Sequence, residues 1–139
     1  MAWGIRLNTS LSDYTRELIV ARVVQLARCE YEFSHHWAEA ASEGVSEEKL
    51  RSLARWEESD LFDPAERALL RYVDEVVADA TTTQETFDAA KAVYDDTALV
   101  EIVVVVGFYG TVARVLNTFD VPLEEGTVPR LQESLGTED

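Results

Sequence analysis

A chain of 139 residues, 47% hydrophobic and 28% charged, has the size and composition of one globular domain, with room for a single core. Its 27 acidic residues outnumber 12 basic ones, giving a net charge of -15. Such a surface repels phosphate backbones and anionic lipid, so neither nucleic acid nor a membrane is an expected partner.

Cys29 is the one cysteine, which rules out a disulfide within the chain and suits a reducing cytoplasm. Residues 1–14 lack an apolar run of signal-peptide length. The longest apolar run, Ile102 to Ala113, is about a dozen residues where a bilayer requires ~20. The expected location is therefore cytoplasmic.

Helical start and stop signals recur along the chain. Ser10 or Ser12 can cap a first helix to about Ala27, with Leu18, Val23, Val24 and Leu26 among its apolar residues. A second runs from about Cys29 to Glu43 and stops at Gly44. Ser46 opens a short third through Leu50 and Leu53 to Trp56. Asp63-Pro64-Ala65-Glu66 combines a cap, a proline at the first helical position and a glutamate three on from the cap. The fourth helix behind it carries the stripe Leu69, Val73, Val76, Val77 and Ala80. Thr82 with Glu85 opens a fifth, through Phe87 and Ala90 to Tyr94.

The last helix is contested by propensity, because the consecutive valines 103–106 favour a strand. Length decides for a helix: the apolar pattern runs from about Asp96 through Phe108, Val112 and Leu116 to Phe119 with no strong turn signal. A helix apolar on all sides belongs either at the centre of the core or in a subunit contact. Beyond Val121-Pro122 the chain reads as loop, and 134–139 as a flexible tail. The expectation is an all-α, single-domain bundle of about six helices over 1–139, with its core at about 11–124.

The stretch Cys29-Glu30-Tyr31-Glu32-Phe33-Ser34-His35-His36 carries the candidate chemistry. On a helix, positions 29, 32 and 36 share one face, beside an apolar stripe of Phe33, Trp37 and Ala40. A thiol, a carboxylate and an imidazole there would be desolvated together. Burial raises a carboxylate's pKa and a carboxylate neighbour favours imidazolium, so both groups are expected to titrate near neutrality. The helix start and a cationic histidine would favour a Cys29 thiolate. His35 points about 100° away and reads as a surface residue.

Glu17, Cys29, Glu32 and His36, at this spacing, resemble the signature of the carboxymuconolactone decarboxylase and alkylhydroperoxidase D-like superfamily. The later segments Leu99 to Val103, Gly107-Phe108-Tyr109 and Val112 to Asn117 are similar to that family's last core helix. The resemblance spans about Tyr14 to Glu124. In the peroxidase branch a Cys-x-x-Cys pair does the redox work with a glutamate and a histidine. Glu17, Cys29 and His36 match that pattern, but Glu32 stands where the other cysteine would be, which removes the internal dithiol. The decarboxylase branch is more similar at Glu32 and His36, where Glu-x-x-x-His serves acid–base chemistry. The resemblance further implies an alkylhydroperoxidase D-like bundle, a small-molecule substrate and a homo-oligomer, trimer or hexamer.

Glu17 has a geometric condition to meet. In one unbroken helix the twelve steps from Glu17 to Cys29 span ~18 Å. It joins the site only if the chain turns near Ala27 to Cys29 or if a neighbouring subunit supplies it, and the resemblance favours the turn. The leading expectation is a cofactor-independent acid–base enzyme acting on a small carboxylated or lactone-like substrate. His36 would move the proton, Glu32 and Glu17 would tune it, and Cys29 would line the pocket. The alternatives are a one-cysteine peroxidase that resolves Cys29 with an external thiol, and a non-catalytic binding or assembly module. Cys29, Glu32 and His36 are plausible ligand types but show no second ligand pair, so neither a metal nor another cofactor is expected.

Overall fold

The computed structural model describes residues 8–136. Residues 1–7 of the N-terminal stretch read above for a signal peptide fall outside them, as do residues 137–139 of the expected tail. The described residues form seven α-helices and one 3-10 segment, with no strand among them. In order these are α1 (Asp13–Leu26), α2 (Glu30–Ser42), α3 (Glu47–Ser52), the 3-10 segment (Leu53–Glu58), α4 (Pro64–Asp79), α5 (Gln84–Lys91), α6 (Asp96–Thr118) and α7 (Leu131–Leu135).

Local side chains set most of the boundaries. The Ser12 hydroxyl accepts from the Thr15 amide and opens α1; Ser46 does the same for α3 through the Lys49 amide. Asp63 and Glu66 form a reciprocal capping box under Pro64 at the start of α4. Helix α5 begins one residue later than expected, because Thr83 and not Thr82 presents its hydroxyl to the Thr86 amide. The third helix tightens into the 3-10 segment at Leu53 and does not continue as an α-helix to Trp56.

Helix α1 is the axis of the bundle, packing against α2, α4, α6 and α7. Every residue from Glu17 to Gln25 is buried. A helix so enclosed must satisfy its own polar groups. Arg22 does so by a bidentate pair with Asp74, Nε to Oδ1 at 2.7 Å and Nη2 to Oδ2 at 2.9 Å, and the Trp56 indole donates to the same carboxylate at 3.0 Å. Gln25 donates to the Ser134 hydroxyl.

Helix α6 is a continuous helix through all four valines. At 23 residues it is long and apolar enough, by length and composition, to cross a membrane, unlike the dozen-residue run read from the sequence. It lies in the bundle with one face against α1 and α4, burying Leu99, Ile102, Val105, Ala113 and Leu116. Val100, Val103 and Val104 remain exposed on the other face.

The expected flexible tail is corrected at its start. Residues 131–135 are helical and Ser134 is buried. The Glu30 carboxylate accepts from the Leu131 amide at 2.9 Å, and the Ser34 hydroxyl from the Arg130 amide at 3.0 Å. The two guanidinium groups of Arg51 and Arg130 stand over the Trp37 ring at 5.6 and 5.2 Å, tying this segment to the core.

Candidate active site

The site depends on a reversal between α1 and α2. Arg28 adopts a left-handed φ of 51°, an uncommon conformation for a residue with a Cβ. The Cys29 amide then donates back to the Val24 carbonyl at 2.9 Å, and the Asn117 side chain from α6 donates to the Ala27 carbonyl at 2.9 Å. The chain folds back on itself here. Glu17, ten residues before Ala27, comes level with His36, nine after it, since both helices rise at the same rate. The turn condition set by the sequence is met within one chain.

His36 is the meeting point. Its Nδ1 lies 2.9 Å from Glu17 Oε2, and its Nε2 lies 3.1 Å from Glu32 Oε2, one helical turn earlier on α2. Glu39, one turn later, brings Oε2 to 3.3 Å from Nδ1. The histidine is 8% exposed, and Glu17 and Glu32 are buried with it, whereas Glu39 is exposed. The Tyr109 ring from α6 meets the imidazole edge-to-face, with centroids 5.2 Å apart. Arg16 borders the far side of Glu17 at 3.7 Å and is itself paired to Asp13.

Burial is the largest single influence on the imidazole and pulls its pKa down. The hydrogen bonds and charges of Glu17 and Glu32 together outweigh it, leaving His36 raised to about 10. For His36 this corrects the expectation of a titration near neutrality, because the two glutamates favour the protonated ring. Tyr109 is pushed up to about 12 by burial and then by Glu17, Glu32 and Glu39.

Cys29 departs from the expected arrangement. It is the N-cap of α2, with extended backbone angles of φ -91° and ψ 97°, and so lies before the helical face that carries Glu32 and His36. Its side chain is 1% exposed and belongs to the hydrophobic core. Among the described residues, no hydrogen bond joins the thiol to the Glu32 or His36 side chain. Burial pushes the thiol up, and the Glu32 amide, which works the other way, does not offset it. The expected thiolate is therefore replaced by a buried, neutral thiol. His35 stands apart as expected, at the surface, with Nε2 2.7 Å from Glu124 Oε2.

Two members of the site were missed. Glu39 had a signal, its spacing of three from His36. Tyr109 had none by itself, because its contact with His36 spans two distant helices. Glu17, His36 and Glu39 offer ligand atoms within 4.8 Å of one another, a spacing that a cation could bridge. His36 Nδ1 is already hydrogen-bonded to Glu17 at 2.9 Å, so a cation bound there would have to displace the proton between them.

Comparison with known proteins identifies the family and the fold. The carboxymuconolactone decarboxylase family model matches residues 1–75, which contain Glu17, Cys29, Glu32 and His36. The uncharacterized protein YnjA of Escherichia coli (strain K12) is 30% identical over 89% of this chain and 69% of its own. The uncharacterized protein YdfG of Bacillus subtilis (strain 168) is 27% identical over 70% of this chain and 68% of its own. A crystal structure from Agrobacterium tumefaciens, of a protein of unknown function named as a candidate antioxidant-defence protein AhpD, superposes with a TM-score of 0.78. It is 28% identical and covers 82% of this chain and 80% of its own. The fold is thus AhpD-like and all-α, and the chain belongs to the carboxymuconolactone decarboxylase family.

Proposed function

We propose that the chain is a cofactor-independent acid–base enzyme acting on a small carboxylated or lactone-like molecule, with His36 as its proton donor. One observation carries this reading: the imidazole is clamped by Glu17 on one nitrogen and Glu32 on the other, in a buried setting. A resting imidazolium is prepared to give a proton, not to take one.

Loss of carbon dioxide from a carboxylated lactone suits such a donor. The carbon–carboxylate bond breaks, its electron pair passes into the enolate of the neighbouring carbonyl, and carbon dioxide leaves. The developing negative charge is stabilised by the imidazolium, which then protonates carbon and is recharged from solvent. Glu17 and Glu32 hold the ring in orientation and keep it protonated. The expected partner remains a small molecule and the expected location the cytoplasm, while the acidic surface speaks against nucleic acid or an anionic membrane.

A one-cysteine peroxidase is less well supported. The AhpD designation of the Agrobacterium protein belongs to that protein, and here the thiol is buried with its pKa raised. A binding module without chemistry would give no reason to bury two glutamates around a histidine, an arrangement costly to leave incomplete. The test is a screen of carboxylated lactones and β-keto acids for carbon dioxide release. His36→Gln should abolish any turnover found, and equal turnover in that variant would remove the proposal.

A further inference from the structure

An open groove of about 600 Å³ runs between α1, α4 and α6, and Glu17, Glu32, His36 and Glu39 have no part in its lining. Its walls are aliphatic: Val23 and Leu26 from α1, Val76 and Val77 from α4, Val103 and Val106 from α6. Leu26 and Val103 are half-exposed, so the groove can be reached from solvent. A volume of this order suits a small organic molecule.

One charge breaks the apolar lining, and it is a cation. Among the described residues Arg114 is the sole charged member of the groove, in a chain with 27 acidic residues and a net charge of -15. Arg16, Arg22, Arg51, Arg71 and Arg130 each pair with a carboxylate. Arg114 pairs with none among the described residues, and its guanidinium takes part in no hydrogen bond with them. Gly110, one helical turn earlier, explains where that guanidinium sits. A Cβ at Gly110 would stand 2.9 Å from Arg114 Nη1, closer than two such atoms can pack. Gly110 is buried in the interior of α6, where glycine weakens a helix, and its bare backbone lets the guanidinium lie back along the helix within the groove.

We infer that this groove binds an amphiphilic organic acid, an acyl carboxylate whose aliphatic body lies on the valines and whose carboxylate pairs with Arg114. Val103 and Arg114 are eleven positions apart on α6, ~16 Å along the helix, which leaves room for a medium-chain acyl tail in extended form. Removing the tail from water supplies most of the affinity. The guanidinium, a planar fork that can meet both carboxylate oxygens, supplies the preference for an anion. The overall field of an acidic chain opposes any anion, but salt screens it within about 8 Å at physiological ionic strength, so the local cation decides. The site is separate from the proposed proton donor, and neither reading depends on the other.

Calorimetric titration of the full chain with decanoate tests this, with methyl NMR to locate the ligand. Decanoate should bind saturably at one site and move the methyl signals of Val77 and Val103. Decylammonium has the same tail and the sign that the acidic chain as a whole attracts, yet it should bind roughly tenfold more weakly or worse. Arg114→Gln should weaken decanoate roughly tenfold. Gly110→Ala, which favours the helix but pushes the guanidinium aside, should weaken it too, whereas Lys91→Gln, which removes an exposed cation outside the groove, should not. Absence of saturable binding, as when a second chain fills the groove, would overturn the inference. So would equal affinity for decylammonium, unchanged decanoate affinity in Arg114→Gln or Gly110→Ala, or methyl signals moved only outside the groove.

Discussion

Glu17 and His36 are nineteen residues apart in the chain and 2.9 Å apart in the fold. The left-handed turn at Arg28 brings them together, and Glu32 completes the clamp from the same helix as the histidine. The proposed chemistry and the pH behaviour of the fold both follow from that contact.

Removing one side of the clamp should weaken the proton donor without dismantling the helix. Glu17→Gln keeps the shape and a hydrogen-bonding oxygen but loses the charge. General acid–base steps contribute roughly 100- to 10,000-fold. Turnover of any substrate found for the wild type should fall by about that range in Glu17→Gln, and the optimum pH should move down. Kinetics across pH would show both effects.

Stability should fall as the solution becomes alkaline. His36 has a folded pKa of about 10 and an unfolded value of about 6.5. The native state therefore holds a proton that the unfolded chain has released between those limits. The stabilisation is fully present below about pH 6.5 and is lost as pH rises through about 10. Urea denaturation from pH 6 upward should show a declining midpoint, and His36→Gln should flatten that slope.

Arg28 pays for the reversal with a strained backbone. Arg28→Gly should be neutral or stabilising, by up to about 1 kcal/mol, because glycine adopts this conformation freely. A β-branched replacement such as Arg28→Val should destabilise by more than about 1 kcal/mol and reduce activity by displacing Glu17 from His36. Thermal melts and turnover would report the two effects separately.

Cys29 should resist oxidation in the native state. Its thiol is buried and its pKa raised, so mild peroxide followed by a sulfenic-acid trap should label it only after denaturation. Mass spectrometry of native and unfolded samples makes the comparison, and rapid native labelling would favour the one-cysteine peroxidase.

Sequence pattern revealed the parts of the molecule governed by near neighbours. Ser12, Ser46 and Asp63 cap helices through bonds to residues three away, and Glu32 meets His36 because four residues make about one helical turn. Cys29 misled because it is the cap of the helix, with its thiol at the first-turn amides and in the hydrophobic core, and not a member of the helical face that carries Glu32 and His36. The pKa of His36 was misjudged because Glu17, Glu32 and the degree of burial act together, and their balance depends on distances that spacing cannot supply. Helix α7 escaped notice for a different reason. Its five residues are held by Glu30, Ser34 and Gln25, about a hundred positions earlier, and five residues carry too little periodicity to announce a helix. Deleting residues 129–139 should accordingly lower stability by about 1–3 kcal/mol in denaturant titration.

The most direct test follows the two ring nitrogens of His36 by NMR as the intact protein is titrated. A ring protonated on both nitrogens at pH 8, with a midpoint near 10 that drops in Glu17→Gln, is the predicted result. A midpoint near the ordinary histidine value of about 6.5, indifferent to the Glu17 substitution, would contradict the clamped imidazolium and the proton donor built on it.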